Sequence, residues 1–255
     1  MIEARLLCVR RGAQMVLRDA RCTLEAGQLL AICGPNGAGK SSLLTAMAGL
    51  IDPAGGGVSL DGRPLPSLAP RERARTIGFL PQQAEAAWDV SVRTLAGLGR
   101  LPWRAVPGRP ARAMRKADDA AISNAIADMQ LDDLVDRPVS QLSGGERARA
   151  MMARVLAGEP RFILADEPFA SLDIGHARDL AGLLRLQASR GKGVAVVMHD
   201  LAMAMNHADR VIVLDQGRIV ADEVPEQALD EAVISRVWNT NARWLGDRGA
   251  RALTV

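Results

Sequence analysis

The stretch GPNGAGKS, residues 34–41, sets three glycines ahead of a lysine and a serine. Glycines at 34, 37 and 39 let a backbone wrap closely around phosphate oxygens, and the spacing G-x-x-x-x-G-K-[ST] fits a nucleotide's phosphates. Lys40 would reach the β- and γ-phosphates, and the Ser41 hydroxyl would ligate Mg²⁺. Gly34, Pro35, Asn36, Gly37, Ala38, Gly39 and Ser42 complete the phosphate-binding set. Further along, FILADE ends in two carboxylates. Asp166 would hold Mg²⁺ through a water, which leaves Glu167 free to take a proton from an attacking water. Alone, such a pair also suits a solvated turn or a helix cap; the glycine loop upstream favours the catalytic reading. His199 follows GVAVVM and Gln82 follows TIGFLP. The first is placed to touch a γ-phosphate, the second to ligate Mg²⁺ or position water. A second anion site is written in QLSGGERARA, where Ser143, Gly144 and Gly145 precede a charged helical run. Converging N–H groups at a helix start attract an anion, so the chain carries two phosphate sites.

The elements that must position these groups are strands. LLAIC, TIGFLPQ, RFILADEP and GVAVVMHD each run as continuous apolar stretches into polar residues. That form predicts parallel strands covered on both faces. In open α/β sheets the working groups gather at the C-terminal ends of such strands. The glycine loop, Gln82, Asp166 with Glu167, and His199 should therefore meet at one edge. The first 65 residues predict strands and turns, with ARLLCVR and ARCTLEA as strands and Asp61-Gly62 as a hairpin turn. RVIVLDQGRIVADE reads as another hairpin, followed by a last helix around EQALDEAVISRVW. Residues 84–158 hold helical patterns only, and within them RLPWRAVPGRPARAMR reads as a loop. Ala148, Met151, Met152, Val155 and Leu156 recur at one-face spacing and should be core.

The fold class expected is α/β: a phosphate-loop core with a mainly parallel sheet, an N-terminal antiparallel β subdomain and an inserted α-helical subdomain. Residues 1–255 would form one domain, with 1–83 and 159–255 as core and 84–158 as the helical insertion. The composition, 48% apolar and 24% charged, suits a soluble globular chain, and no apolar run nears the length of a membrane span. The N-terminus lacks a secretory signal pattern, so a cytosolic location is expected, with any membrane role supplied by a partner. A net charge of +3 gives no footprint for nucleic acid. Cys8, Cys22 and Cys33 show no metal spacing and read as reduced core thiols.

Six segments occur in the order found in the ATP-binding cassette (ABC) ATPases: GPNGAGKSS, FLPQQ, LSGGERAR, FILADEP, ASLD and VMHD. They resemble that family's Walker A, Q-loop, signature, Walker B, D-loop and H-loop, and the resemblance covers nearly the whole chain. It implies ATP and Mg²⁺ as cofactors and ATP hydrolysis as the activity. By position it makes His199 a γ-phosphate sensor and Gln82 a metal and coupling contact. Ser143, Gly144, Gly145 and Glu146 become the signature that binds ATP held by a second copy, and Ser171, Leu172 and Asp173 the D-loop that touches it. The resemblance thus explains the second phosphate site: two copies would sandwich two ATPs head to tail. One departure stands out, because the family's adenine-stacking aromatic is missing and Arg11, in VRRGAQMVL, takes its place. A guanidinium can lie flat against a base; the alternative is an Arg11 turned to solvent.

The implied role is the ATPase subunit of a transporter. A P-loop kinase is disfavoured by the signature, and a soluble ABC ATPase by the single cassette without a heptad run. LAGLGRLPWR, ASLDIGHARDLAGLL and HDLAMAMNHADRVIVLDQGRIVADEVPEQAL look like importers of iron-siderophore, haem and cobalamin chelates, with export as the alternative. Such a system implies a homodimer of this chain at the cytoplasmic face of the membrane. With it would go two transmembrane permease subunits and, indirectly, a periplasmic or extracellular substrate-binding protein; nucleic acid is no partner. Trp88 is a candidate anchor for the membrane subunit, a core position being the alternative.

Overall fold

The chain begins with two long antiparallel strands, β1 (Ile2–Arg11) and β2 (Gln14–Leu24), joined through Gly12 at positive φ. After β3 (Leu29–Cys33), a glycine loop and α1 (Lys40–Met47) come β4 (Gly55–Leu60) and β5 (Arg63–Pro64). Asp61 and Gly62 both take positive φ between β4 and β5, as a tight two-residue hairpin requires. These strands form an antiparallel sheet in the order β2-β1-β4-β5. The structure, a computed structural model, describes residues 1–82, 89–104, 111–170 and 172–255.

Helix α2 (Pro70–Thr76), which the sequence reading missed, leads into β6 (Ile77–Leu80). Among the described residues from there to 158 the regular elements are helical. They include α3 (Val92–Gly97), α4 (Ala111–Asp128) and α5 (Gly144–Ala157). The remainder alternates: β7 (Phe162–Ala165), α6 (Ile174–Ser189), β8 (Gly193–Val197), α7 (Leu201–His207), β9 (Arg210–Asp215) and β10 (Arg218–Glu223). It closes with α8 (Pro225–Ala228), α9 (Glu231–Trp238), β11 (Arg243–Leu245) and β12 (Ala252–Thr254).

The second sheet runs β10-β9-β3-β8-β7-β6, all parallel except the β9–β10 hairpin. Every residue of β3, β7 and β8 is buried, which is why these strands read as unbroken apolar runs. Successive side chains point to opposite faces. Leu30, Ile32, Leu164 and Val197 pack toward β1, β2 and α1. Ala31, Cys33, Ile163, Ala165 and Val196 pack toward the helices that include α5, α6 and α7. The core is thus two layers of apolar contact, one on each face of a single sheet.

Two expectations need correcting. RLPWRAVPGRPARAMR begins inside a 3₁₀ helix, Leu98–Trp103, and ends inside α4, which starts at Ala111, while residues 105–110 of the expected loop lie outside the described residues. Arg100 explains the first part. It is 3% exposed, and its guanidinium donates to Asp118, Glu159 and the Ala157 carbonyl. Trp103 donates its indole N–H to the Gly158 carbonyl, while Arg100 and Arg75 approach its ring at 4.9 and 4.8 Å. This cluster ties the end of α5 to α2, so a segment rich in Pro and Arg is ordered by cations and carbonyls rather than by apolar periodicity. The second correction is Cys8, which is half-buried beside Asp19 rather than in the core. Cys22 and Cys33 are buried, and burial pushes both thiols up to about 12. The proposed stripe on α5 is buried except for Ala148, which packs at its margin.

Removing a buried cation leaves its carboxylate partners uncompensated. Arg100→Met should lower stability by about 3 kcal/mol, read as a shifted midpoint in urea unfolding; an unchanged midpoint would remove the cluster from any structural role.

Candidate active site

The sheet register delivers the site. Leu80 pairs with Ala165, Ala165 with Val196, and Ile32 with Val197. These four strands therefore end in one row, and the residues just beyond them share an edge. Gly34 leaves β3 at φ +145, where a Cβ would fall 2.2 Å from the Leu214 carbonyl oxygen. Gly39 sits at φ +103 with its Cβ position 2.6 Å from the Val16 carbonyl oxygen. Both positions exclude a side chain by space as well as by conformation. No side chain caps the start of α1, so its first N–H groups face the loop. Lys40 is 5% exposed and donates to the carbonyls of Gly34 and Pro35 at 2.8 and 3.0 Å. Burial holds its ammonium below the usual lysine range, opposed by the charges of Glu167 and Asp166.

Ser41 donates to Asp166 Oδ1 at 3.0 Å, which joins the loop to the end of β7. Burial pushes the Asp166 carboxyl up; the Ser41 hydrogen bond and the charges of Lys40 and Arg11 pull the other way. Next to it Glu167 takes φ +51, a left-handed conformation costing about 1 kcal/mol for a non-glycine residue. Its two oxygens are both held: Gln82 Nε2 donates to Oε2 at 2.7 Å, and His199 Nε2 lies 2.7 Å from Oε1. The four predicted groups Gln82, Asp166, Glu167 and His199 are thus brought together with the glycine loop.

The second stretch expected to bind an anion is built separately. Ser143 caps α5, its hydroxyl accepting from the Glu146 N–H at 3.2 Å, while the Glu146 carboxylate accepts from the Ser143 N–H at 2.8 Å. This reciprocal box ties Glu146 to the turn itself, and the backbone bond holds its carboxyl below the usual range. Among the described residues no hydrogen bond joins Ser143–Glu146 to the loop at 34–41. Asp173 caps α6 through the His176 N–H at 2.8 Å. Leu172 lies just before it, its N–H donating to the Phe169 carbonyl. Ser171 and Trp88 lie outside the described residues.

A family model described as ABC transporter matches residues 17–170. The chain belongs to the ABC transporter family. Two relatives, each named a hemin import ATP-binding protein, come from Rhodococcus jostii (strain RHA1) and Nocardia farcinica (strain IFM 10152). The first is 42% identical over 91% of this chain and 77% of its own length. The second is 43% identical over 93% of this chain and 82% of its own. A dimeric ATP-binding cassette solved with ADP and Pi, in a post-hydrolysis state, matches at 26% identity and a TM-score of 0.73. It covers 88% of this chain and 99% of that one.

As an ATP-hydrolysing ABC subunit, the chain has an edge that suits its substrate. A buried ammonium, backbone amides at a helix start and a glycine wrap fit a polyphosphate. The hydroxyl of Ser41 and the carboxylate of Asp166 are hard oxygen donors, the kind Mg²⁺ takes in ones and twos beside phosphates. No cluster of three or more His, Cys, Asp or Glu among the described residues offers a cage of its own for a metal. Arg11 ends β1 exposed, near enough for its charge to bear on Asp166. The sequence reading missed the 3₁₀ turn around Arg100, and the β11–β12 hairpin, docked by Asn206 on the Arg251 backbone. Only the acidic partners of Arg100, scattered at 118 and 159, could have signalled the first.

The loop geometry separates two glycines that look alike in sequence. At Gly37, φ +79, a methyl group would meet nothing within 4 Å, whereas at Gly34 it would strike a carbonyl. Gly37→Ala should cost about 1 kcal/mol of stability, and Gly34→Ala about 2 kcal/mol or more together with ATP binding. Thermal melts with and without ATP check this ranking.

Proposed function

We propose that this chain is the ATPase subunit of a hemin importer, acting as a pair of identical copies beneath two separate membrane subunits. The observation that carries the pairing is the division of phosphate-binding groups. One set, Gly34–Ser42 with Gln82, Asp166, Glu167 and His199, lies at the sheet edge; the other, Ser143–Gly145, stands apart on α5, with no hydrogen bond to it among the described residues. The dimeric cassette with a similar fold supports the same arrangement. The hemin cargo rests on the names of the two relatives, and the metal-chelate importers that the sequence resembles agree with it. Among the described residues no helix is long and apolar enough to cross a membrane, so the membrane path falls to partner chains. The division into a core, 1–83 and 159–255, and a helical insertion, 84–158, gives the partners two surfaces to move against each other.

In this reading ATP lies along the 34–42 loop, its phosphates on the amides of α1 and on Lys40, and its base against Arg11. Ser41, Asp166 and Gln82 would hold Mg²⁺, which would supply neutralisation of the phosphate charge. Glu167 accepts the proton of a water as its oxygen bonds to the γ-phosphorus. The bond from that phosphorus to the β-phosphate oxygen breaks, giving ADP and Pi. His199 orients Glu167 and meets the γ-phosphate. Ser143, Gly144 and Gly145 of the second copy bind the same phosphate from the far side, while Glu146 fixes their turn. Leu172 and Asp173, with Ser171, touch the second copy. Two bound ATPs hold the copies closed, and hydrolysis lets them part, which moves the membrane subunits. A substrate-binding protein on the outer face would hand over the cargo.

Membrane vesicles carrying the chain with its permease subunits should take up hemin only when ATP is supplied; uptake without ATP, or none with a hemin-loaded binding protein present, overturns the importer reading. Glu167→Gln should retain ATP, slow turnover roughly 10²–10⁴-fold and accumulate as a closed pair, seen by light scattering. Ser143→Arg should bind ATP at its own loop yet fail to pair. Arg11→Ala should weaken ATP affinity about fivefold, measured by titration; unchanged affinity removes the stacking role.

A further inference from the structure

The signature turn and the D-loop are distant in sequence, yet one side chain fills the space between them. A Cβ built on Gly145 would fall 2.0 Å from His176 Cδ2, 2.5 Å from its Cγ and 2.9 Å from its Nε2. One edge of the imidazole therefore rests directly on the Cα of Gly145, in the first turn of α5. The other edge is bound to Asp173. His176 Nδ1 lies 2.9 and 2.8 Å from the two carboxylate oxygens, while the His176 backbone N–H donates to the same carboxylate at 2.8 Å. Asp173 is held below the usual carboxylate range by that backbone bond first and the ring bond second. A carboxylate so held has no proton to offer, so Nδ1 carries the hydrogen and donates.

The pair contributes little to folding. Asp173 is 68% and His176 38% exposed at the side chain, and exposed ion pairs are worth close to nothing in net stability. What the arrangement does supply is a fixed distance. Imidazole is rigid, has two rotatable bonds, and here is pinned at one ring nitrogen and stopped at the opposite edge by backbone. No side chain can intervene at residue 145, so any shift of the D-loop cap is passed to the signature turn. In the two-copy reading both segments belong to the face that meets the second copy.

We propose that His176 is a positioning residue, a spacer that sets the signature glycines and the D-loop at the separation needed to engage the partner copy together. This rests on the reading that two copies pair around ATP. It goes beyond that reading by naming a residue that neither motif contains and by coupling the two motifs within one chain.

The test uses the full chain in a Glu167→Gln background, with ATP-driven pairing read by light scattering and own-loop affinity read with a fluorescent ATP analogue. His176→Ala should weaken pairing about tenfold while own-loop affinity stays within about twofold. His176→Asn, whose Nδ2 and Oδ1 take the places of Nδ1 and Cδ2 and so keep both the bond to Asp173 and the contact with Gly145, should pair within about threefold of the parent. Gly145→Ala should weaken pairing at least about tenfold alone and by a clearly smaller factor on top of His176→Ala, where the ring it strikes is gone and only the turn's own contact with phosphate is left to disturb. Pairing by His176→Ala within about twofold of the parent would overturn the proposal, as would Gly145→Ala costs that simply multiply in the double variant. Equal loss of own-loop affinity and pairing would also overturn it, making the histidine merely structural. Absence of pairing in the Glu167→Gln parent itself would instead bring down the two-copy reading, and this inference with it.

Discussion

Glu167 is bonded on one oxygen by Gln82 and on the other by His199, each at 2.7 Å, and those partners leave strands on opposite sides of β7. The site exists only if β6, β7 and β8 end level. A one-residue slip of β6 would move Gln82 by about 3.3 Å along the sheet and turn its side chain to the other face. What prevents the slip is burial. Leu80 and Ile77 of β6 are core residues, and moving them out of register would expose apolar surface on one face and bury backbone unevenly on the other. The core therefore fixes the chemistry more tightly than the hydrogen bonds within the site do. Those bonds then offset the left-handed backbone at Glu167.

A similar economy governs the charges. Lys40 and Asp166 are both buried, and each raises the other's preference for the charged form against the pull of desolvation. Neither is paired directly with the other: Lys40 is bonded to loop carbonyls and Asp166 to the Ser41 hydroxyl. The ammonium thus props the glycine loop open instead of closing it with an ion pair. A polyphosphate can replace those carbonyls as the acceptor for Lys40, and a divalent cation can take Asp166 from Ser41, without any group having to leave the site. Preorganisation of this kind lowers the cost of binding a highly charged ligand.

How much of this was legible in the sequence depended on which force ordered each segment. The parallel strands and their order of working residues were legible because burial on both faces writes an unbroken apolar run, as in Leu29–Cys33 and Gly193–Val197. The Asp61-Gly62 turn was legible because only certain residues accept positive φ at two successive positions. The Leu98–Trp103 turn was not, since it is held by Arg100 reaching Asp118 and Glu159, contacts that leave no period in the sequence. Helix α2 was missed because none of its residues is buried, so it has no apolar stripe to read. In the site, residue types and spacing foretold which side chains meet. They did not foretell that Glu167 would share its two oxygens between Gln82 and His199, which is a property of strand register.

In the two-copy reading the cap of α5 serves a partner. An α-helix leaves its first four N–H groups without partners inside the helix. The box between Ser143 and Glu146 satisfies the Glu146 and Ser143 N–H groups, and it does so with side chains that fold back along the turn. Gly144 and Gly145 bring no side chain to cover what remains, so the unsatisfied N–H groups keep their positive potential on the surface. Among the described residues nothing at the sheet edge is bonded to them. A terminus kept open in this way, on a turn that the Ser143–Glu146 box makes rigid, lowers its free energy by meeting an anion from outside. In the proposed pairing that anion is the phosphate chain of the ATP on the 34–42 loop of an identical copy.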